Sequence, residues 1–320
     1  MNEPGVSEPV ADVPESTARP RRSPARRSWG SRRAALPWLL LLPALAVVGG
    51  VVGYPFFRTF YLGFFNAPLL GKTRTFLGLA NYLHAFQTQE FRAAIAHTLH
   101  FTVGSIGLEL VLGVAVALFL NRAFLGQRLL RALLILPLAL PTVVNAVMWR
   151  WIYNPEYGAL NALLTQLHVL PGYRTWLGTP GLAMNMIIVA DVWKNFTLVA
   201  LLVLAALQTI PVELHDAARV DGAGAIQRMR FITLPGIRPA LLVALVLRTV
   251  EALKVFDIIY VMTGGGPASS TKTLSFMVYQ EAFSFLKLGT AAADAFLTVA
   301  LIMVFVGIYI RLLQSRGVAG

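Results

Sequence analysis

The chain has 320 residues, of which 57% are hydrophobic and 13% charged, and its mean hydropathy is +0.66. A soluble domain carries charge on about a quarter of its residues, so this composition excludes a water-soluble globule. The formal net charge is +12, and in a membrane protein such an excess of Lys and Arg first reports orientation. Cysteine is absent, which excludes disulfides, thiolate metal sites and cysteine nucleophiles.

The chain begins with a polar, arginine-rich segment. Residues 1–34 contain too few apolar groups to bury a core, and they are predicted to form a disordered cytoplasmic tail. Orientation and attraction to anionic lipid headgroups account for their arginines, so no nucleic-acid partner is expected. The apolar run from residue 35 to about 56 is interpreted as a transmembrane helix. A cleaved signal is disfavoured because the run continues past Ala44-Leu45-Ala46, the candidate cleavage site.

Five further apolar stretches are long enough to cross a bilayer. They cover residues 98–120, 129–151, 182–207, 239–262 and 291–313. The sequence therefore predicts an all-α polytopic membrane protein with six transmembrane helices in one domain, 35–315, followed by a short tail, 316–320. A short external helix is predicted for residues 85–97.

The distribution of basic residues predicts the orientation. The tail, the segment after the second span, the loop 208–238 and the C-terminus hold sixteen Lys and Arg, whereas the alternate loops hold eight. Basic residues concentrate in cytoplasmic loops. Both termini are therefore predicted to be cytoplasmic.

The most informative segment is the cytoplasmic loop before the fifth span. Pro211 suits the first turn of a helix, Asp221-Gly222 indicates a turn, and Leu234-Pro235 predicts a break before the fifth span. The local prediction is helix, turn, helix. Small residues such as Ala217 and Ala218 would let another protein approach closely, although an ordinary amphipathic helix pair has the same composition.

This loop resembles a known family. Asp216-Ala217-Ala218, then Asp221-Gly222-Ala223, then Ile232 to Pro235 resemble the EAA loop of permease subunits of ABC importers of the maltose and glycerol-phosphate type. Two other segments are also similar to that family, Val192-Trp193-Lys194-Asn195 and Val255 to Pro267. Asp216 stands where the family usually has glutamate, so its carboxylate reaches less far.

The resemblance covers about residues 35 to 315 and implies a type I ABC importer permease fold with a coupling loop at 211–235. The residues implied to contact the ATPase are Asp216, Ala217, Ala218, Asp221 and Gly222. The implied partners are a second homologous permease subunit, two cytoplasmic ATPase subunits that bind the ATP, and an extracytoplasmic solute-binding protein. The implied location is the inner membrane of a prokaryote, where the chain meets membrane lipid. The implied substrate is a di- or oligosaccharide, or a related polyol or glycerol phosphate. The chain itself is expected to hold no cofactor, metal or catalytic residue.

Ionisable residues inside membrane spans are costly and mark functional sites. Asp191, Lys194 and Asn195 lie at positions i, i+3 and i+4 of the fourth span, which places them on one face. The fifth span carries four charges of alternating sign at i+3 steps, at Arg248, Glu251, Lys254 and Asp257. On a straight helix such a row drifts about 60° per step, which predicts that the four cannot all line one cavity.

Two acidic residues, Glu109 and Asp294, have no local cation and are candidates to pair with cations of the fifth span. The charges as a group can either stabilise helix packing or contact substrate. The resemblance favours substrate contact for some of them. The predicted pathway residues are Asn145, Trp149, Asp191, Lys194, Asn195, Arg248 and Glu251. The competing classes are an intramembrane enzyme, with buried carboxylates as acid, base or metal ligands, and an ion channel. A cation three residues from most carboxylates favours neutralised pairs over a free base.

Overall fold

The computed structural model describes residues 32–71 and 74–317. The predicted tail therefore falls mostly outside the described residues, and residues 32–34, which were assigned to it, instead begin the first helix. At the other end the last helix continues to Gly317. The predicted C-terminal tail, 316–320, is thus helical at its first two residues, and the remainder lies outside the description.

The described chain divides into two compact units, with the boundary after Pro55. The first unit contains α1 (Arg32–Val48) and a π-helical segment (Gly49–Gly53), and it ends within the first turn of α2 (Tyr54–Leu62). Residues Leu40–Leu62 are long and apolar enough to cross a membrane. This stretch overlaps the predicted span, 35–56, and continues six residues beyond its predicted end.

The second unit holds a two-stranded antiparallel sheet and the remaining helices. Strand β1 (Phe65–Asn66) pairs with β2 (Thr75–Phe76), and Phe65 lies opposite Phe76. The first helices after the sheet are α3 (Ala80–Gln87), α4 (Gln89–Leu120), α5 (Gln127–Ala139), α6 (Thr142–Ile152), α7 (Ala159–Gln166) and α8 (Leu182–Leu207). Then follow α9 (Val212–Val220), α10 (Ala225–Arg228), a π-helical segment (Met229–Thr233), α11 (Leu234–Leu253), α12 (Asp257–Met262), α13 (Leu274–Tyr279), a π-helical segment (Gln280–Ser284) and α14 (Leu288–Gly317).

Among the described residues, five helices can each span a membrane, and the bent pair α5 and α6 brings the number to six if it counts as one span. The predicted count is therefore met only with a bent third span. The prediction of one continuous helix over 129–151 is wrong, because α5 and α6 meet at 98°. Proline disfavours the helical conformation of the preceding residue, and Leu140, before Pro141, is extended with ψ 134°.

Three other predicted boundaries also differ. Residues 85–97 belong to two helices, α3 and α4, which meet at an extended Thr88. The predicted break at Leu234-Pro235 is wrong, because the helix runs without interruption from Ala225 to Leu253. Pro235 follows the π-helical segment Met229–Thr233, so the hydrogen-bonding pattern of the helix changes just before the proline. The fifth span accordingly ends at Leu253, and α12 is a separate helix.

The core forms where α4 packs along α8. Glycines on α4 allow the two helices to approach closely. A methyl group added at Gly113 would lie 2.6 Å from Cβ of Val199, and one at Gly104 would lie 2.9 Å from Cδ1 of Ile188. Small residues at helix contacts are typical of membrane proteins, in which packing rather than hydrophobic burial drives helix association. This contact fixes α8, which carries three of the polar residues that line the cavity described below.

Candidate functional site

The chain leaves the helical conformation directly after α11. Lys254 has φ −102° and ψ 19°, and Phe256 has φ −138° and ψ −59°. One backbone oxygen freed by this break, that of Val255, accepts a hydrogen bond from the hydroxyl of the buried Thr273 (3.1 Å). Irregular backbone at membrane depth is tolerated where it is buried in protein or lines a cavity, and residues 254–258 line one.

That cavity has a volume of about 420 Å³ and lies between α8 and the end of α11. Its charged lining residues are Asp191, Lys194, Arg248, Glu251, Lys254 and Asp257, and Asn195, Thr142 and Phe256 also contribute. Lys194 is near the middle of α8, so the cavity lies well inside the bundle rather than at its rim. The site thus brings together polar side chains from three separate stretches of the sequence.

Arg248 is the centre of a buried ion network. Its guanidinium donates two hydrogen bonds to Glu109 on α4 (2.7 and 2.9 Å), one to Asp191 on α8 (3.0 Å) and one to Glu251 on its own helix (2.5 Å). Arg248 and Glu109 are almost completely buried, whereas the side chain of Glu251 is 56% exposed. A buried charge is tolerated when it is paired and hydrogen-bonded on all sides. This network fixes α4, α8 and α11 relative to each other.

The polar groups that face the cavity are held by neighbours. The amide nitrogen of Asn195 donates to Asp191 (2.8 Å), and the ammonium of Lys194 donates to the hydroxyl of Thr142 on α6 (2.8 Å). Lys254 and Asp257 are exposed to the cavity, and neither is in a salt bridge with another described residue. The cavity therefore offers donors and acceptors at fixed positions together with two unpaired charges.

The prediction that the four charges of the fifth stretch cannot line one cavity is wrong. Arg248, Glu251, Lys254 and Asp257 all line it. The prediction assumed a straight helix to residue 262, whereas the helix ends at Leu253 and the chain turns before α12 begins at Asp257. The turn carries the last two charges back toward the side where the first two lie.

Two predicted pathway residues lie outside the lining of this cavity. The buried Asn145 donates from its amide nitrogen to the backbone oxygen of Ala190 (3.1 Å), which ties α6 to α8. The indole of Trp149 packs against Tyr153 and Trp193, with ring centres 5.2 and 5.9 Å apart. Both residues support the walls behind the cavity.

The two acidic residues without local partners behave differently. Glu109 pairs with Arg248, as predicted. Asp294 does not, and it forms no salt bridge with any described residue. Asp294 is 1% exposed, and neither of its carboxylate oxygens has a hydrogen-bond partner among the described residues.

The predicted helix, turn and helix of the coupling loop are present. Helix α9 ends at Val220, and Gly222 has φ +78°, a conformation that favours glycine. The amides of Gly222 and Ala223 donate to the backbone oxygens of Arg219 (3.1 Å) and Ala218 (2.8 Å). These bonds close the C-terminus of the helix.

The surface of the coupling loop is exposed. No described residue of α9 is buried, and the side chains of Val220, Ile226 and Phe231 are 70 to 89% exposed. Asp216 forms an exposed ion pair with Arg219 (2.8 Å), and Ala217 and Asp221 are also exposed. Such an exposed pair contributes little stability, so it can exchange for another partner at low cost. Val220 lies in the loop itself, whereas Ile226 and Phe231 belong to the helix Ala225–Leu253, which is long and apolar enough to span a membrane.

The comparisons with known proteins agree with this architecture. Residues 109–316 match the family described as "Binding-protein-dependent transport system inner membrane component". The trehalose/maltose transport system permease protein MalF of Thermococcus litoralis is 40% identical over 285 residues, which cover 89% of this chain and 96% of that protein. The sulfoquinovosyl glycerol transport system permease protein SmoG of Agrobacterium fabrum is 38% identical, with 87% and 90% covered.

A further relative and a solved structure extend the likeness. The sn-glycerol-3-phosphate transport system permease protein UgpA of Yersinia pestis is 34% identical, over 88% of this chain and 95% of its own length. A chain of a bacterial ABC transporter that imports the acidic polysaccharide alginate has a TM-score of 0.76 at 22% identity, with 89% of this chain and 97% of that chain covered. That last likeness shows the fold. The chain therefore belongs to the family of binding-protein-dependent transport system inner membrane components, and it is a multi-pass permease subunit of an ABC importer rather than an enzyme.

Proposed function

We propose that the chain forms one half of the membrane pathway of a carbohydrate importer, with the cavity between α8 and α11 as its substrate site. The other half would come from a second homologous permease subunit. Two cytoplasmic ATPase subunits would supply the energy, and a solute-binding protein would deliver the sugar on the other side. The observation that carries the proposal is the cavity lining, which combines fixed donors, fixed acceptors and an aromatic ring.

The residue types of the lining match the chemistry of a sugar. Sugar hydroxyls both donate and accept hydrogen bonds, and a buried polar group left without a partner costs about 1 to 3 kcal/mol. Such hydroxyls can form hydrogen bonds with polar side chains of the lining, namely Lys194, Asn195, Glu251, Lys254 and Asp257. The ring of Phe256 lines the cavity and stacks on Tyr260 (5.5 Å, 28°), so the apolar face of a sugar ring has an aromatic surface beside those groups.

Within this site the predicted residues divide into two roles. We assign substrate contact to Lys194, Asn195 and Glu251, and we add Lys254 and Asp257. Arg248 and Asp191 belong mainly to the buried network, which holds the helices that carry the contact residues. Asn145 and Trp149 support the wall from behind.

The balance of charge favours an uncharged substrate. The lining and its buried extension to Glu109 contain three cations and four carboxylates. An anionic substrate such as a glycerol phosphate would need a surplus of cations, as phosphate sites usually have. The relatives include transporters named for trehalose and maltose and for sn-glycerol 3-phosphate. The charge balance supports a substrate of the former kind.

The test is uptake by cells that lack the gene. Complementation with this chain and its partner subunits is expected to restore uptake of a labelled uncharged disaccharide such as maltose or trehalose, with no uptake of labelled glycerol 3-phosphate. Restored uptake of glycerol 3-phosphate alone would contradict the uncharged substrate. Loss of the gene without any change in carbohydrate uptake would contradict the transport proposal as a whole.

The coupling loop has a separate proposed role on the cytoplasmic face. We assign the contact with the ATPase to the exposed surface of α9 and the turn after it, including Asp216, Ala217 and Gly222. The ion pair of Asp216 with Arg219 would open so that the carboxylate meets a cation of the ATPase. The proposed orientation, with both termini cytoplasmic, follows from the basic residues of the loops.

A further inference from the structure

A second cavity lies at the end of the bundle, between the coupling loop and the spans. Its volume is about 660 Å³. One wall is apolar and comes from the last turns of α4 and α8, including Phe119 and Leu207. The basic part of the lining includes Arg122 just after α4, His215 on α9 and Arg228 on α10. None of the described residues that line it is acidic, so we call this cavity the basic pocket.

The arginines of the basic pocket are only partly satisfied within the chain. Arg122 directly follows the end of α4, and no described carboxylate is in salt-bridge contact with it or with Arg228. One guanidinium nitrogen of Arg228 donates to the backbone oxygen of Ala223 (2.7 Å). A third lining arginine, Arg219, is paired with Asp216. Two arginine side chains therefore face the pocket without a salt bridge to a described carboxylate, and guanidinium groups bind phosphate strongly.

An apolar groove begins where the basic pocket ends. Phe119 lines both, and it is 56% exposed. The groove has a volume of about 310 Å³ and runs between α4, α5 and α8 as far as Trp193 and Phe196. Its lining contains no charged residue. Along α8 the distance from Leu207, in the basic pocket, to Trp193 is about 21 Å at a helix rise of 1.5 Å per residue. That length matches one acyl chain.

We propose that the basic pocket and the apolar groove together bind one anionic phospholipid. Its phosphate would lie between Arg122 and Arg228, and one acyl chain would follow the groove past Phe119. A soluble anion would use only the basic pocket, whereas a zwitterionic lipid would bring its own cation next to the arginines. The adjoining apolar and basic surfaces therefore favour an anionic lipid.

The position of this site suggests a consequence for coupling. Helix α9 contributes Val212, His215 and Arg219 to the basic pocket, whereas Phe119 belongs to a membrane span. A bound lipid would therefore contact both α9, the helix proposed to meet the ATPase, and the membrane span α4. The inference goes beyond the transport function and does not depend on which sugar is carried.

The test is lipid retention by the assembled importer, measured by native mass spectrometry with phosphatidylglycerol and phosphatidylcholine of identical acyl chains. Wild type is expected to retain phosphatidylglycerol preferentially. The double variant Arg122→Gln with Arg228→Gln should bind it at least about tenfold more weakly, since hydrogen bonds to charged groups are lost. Arg122→Lys keeps the charge and should retain most binding. Arg230→Gln is the matched control, because Arg230 lies next to the pocket but outside its lining.

A groove variant separates the two halves of the site. Leu133→Trp fills the groove and should lower phosphatidylglycerol retention while every arginine remains. Equal retention of the two lipids by wild type would overturn the proposal, as would equal losses in the double variant and in Arg230→Gln. Full displacement by millimolar inorganic phosphate would indicate a soluble anion instead. Binding by the isolated chain but not by the assembled importer would show that a partner protein covers the pocket, which also overturns it.

Discussion

The guanidinium of Arg248 on α11 donates two hydrogen bonds, of 2.7 and 2.9 Å, to the carboxylate of Glu109 on α4, although the two residues are 139 positions apart in sequence. Both side chains are almost fully buried. The same guanidinium also holds Asp191 of α8. One side chain therefore joins the three helices that surround the cavity, and this junction explains why the cavity has a defined shape.

Removal of one partner from this junction should destabilise the chain. We expect Glu109→Gln to cost about 1.5 to 3 kcal/mol, because the charge-assisted hydrogen bonds to Glu109 are weakened while Arg248 keeps Asp191 and Glu251 as partners. The measurement is thermal denaturation of the purified importer, together with the yield of assembled complex. Asp294→Asn is the matched control, since Asp294 is equally buried but has no hydrogen-bond partner among the described residues. Equal losses in both variants would contradict the role given to Arg248.

The turn after α9 should depend on glycine. At φ +78°, Gly222 adopts a left-handed conformation that costs other residues about 1 to 2 kcal/mol, although the space around it is open. We expect Gly222→Asp to lower transport and substrate-stimulated ATP hydrolysis, with the amount of membrane-inserted chain unchanged. Gly222→Asn should be milder, because asparagine tolerates this conformation better than most residues. Normal stimulated hydrolysis in Gly222→Asp would count against coupling through this turn.

The orientation can be tested in a chain that has no cysteine. We expect Tyr157→Cys, in the loop predicted to be external, to react with a membrane-impermeant thiol reagent in intact cells. Ile226→Cys, in the coupling loop, should react only after the membrane is opened. Both side chains are more than 60% exposed in the wild type, so the protein itself would shield neither cysteine from the reagent. The opposite pattern would reverse the proposed orientation.

One carboxyl outside the spans should give the stability a pH dependence. Burial raises the pKa of Glu281, and Lys287 opposes this only in part. A raised pKa in the folded state favours folding at low pH, and that contribution is lost as the pH rises through the raised value. We therefore expect wild-type thermal stability to fall, relative to Glu281→Gln, as the pH increases above the ordinary range of a glutamate. Parallel stability curves for the two proteins across that range would refute this.

Much of the fold follows from sequence because membrane spans have a strong signal. The fourth span was predicted at its observed limits, 182–207, since an apolar run of that length between polar loops is long enough to cross a bilayer. The breaks were less predictable. The third span bends at Pro141, whereas the helix continues through Pro235 after a π-helical segment, and a proline in the sequence does not by itself distinguish the two cases.

Part of the site was predictable from the spacing of charged residues along a helix. Spacing correctly paired Arg248 with Glu251 at i+3. The same spacing predicts an ion pair between Asp191 and Lys194, but Asp191 instead pairs with Arg248 of another helix. Spacing along one helix cannot predict a contact between two helices. The gathering of Lys254 and Asp257 into the cavity depends on a helix end at Leu253 that has neither glycine nor proline to mark it.

The most direct test of the cavity as a sugar site is the concentration dependence of uptake in Asp257→Asn. Asp257 lines the cavity and is in no described salt bridge, so its loss should leave helix packing intact. Asn195→Ala would not separate substrate binding from helix packing, because Asn195 also donates to the buried Asp191. Glu156→Gln, which changes an exposed carboxylate in a loop, is the matched control. The account predicts that Asp257→Asn needs about tenfold more substrate for half-maximal uptake, as expected for one lost charged hydrogen bond, with a normal amount of assembled complex. Unchanged uptake over the whole concentration range in Asp257→Asn would contradict it.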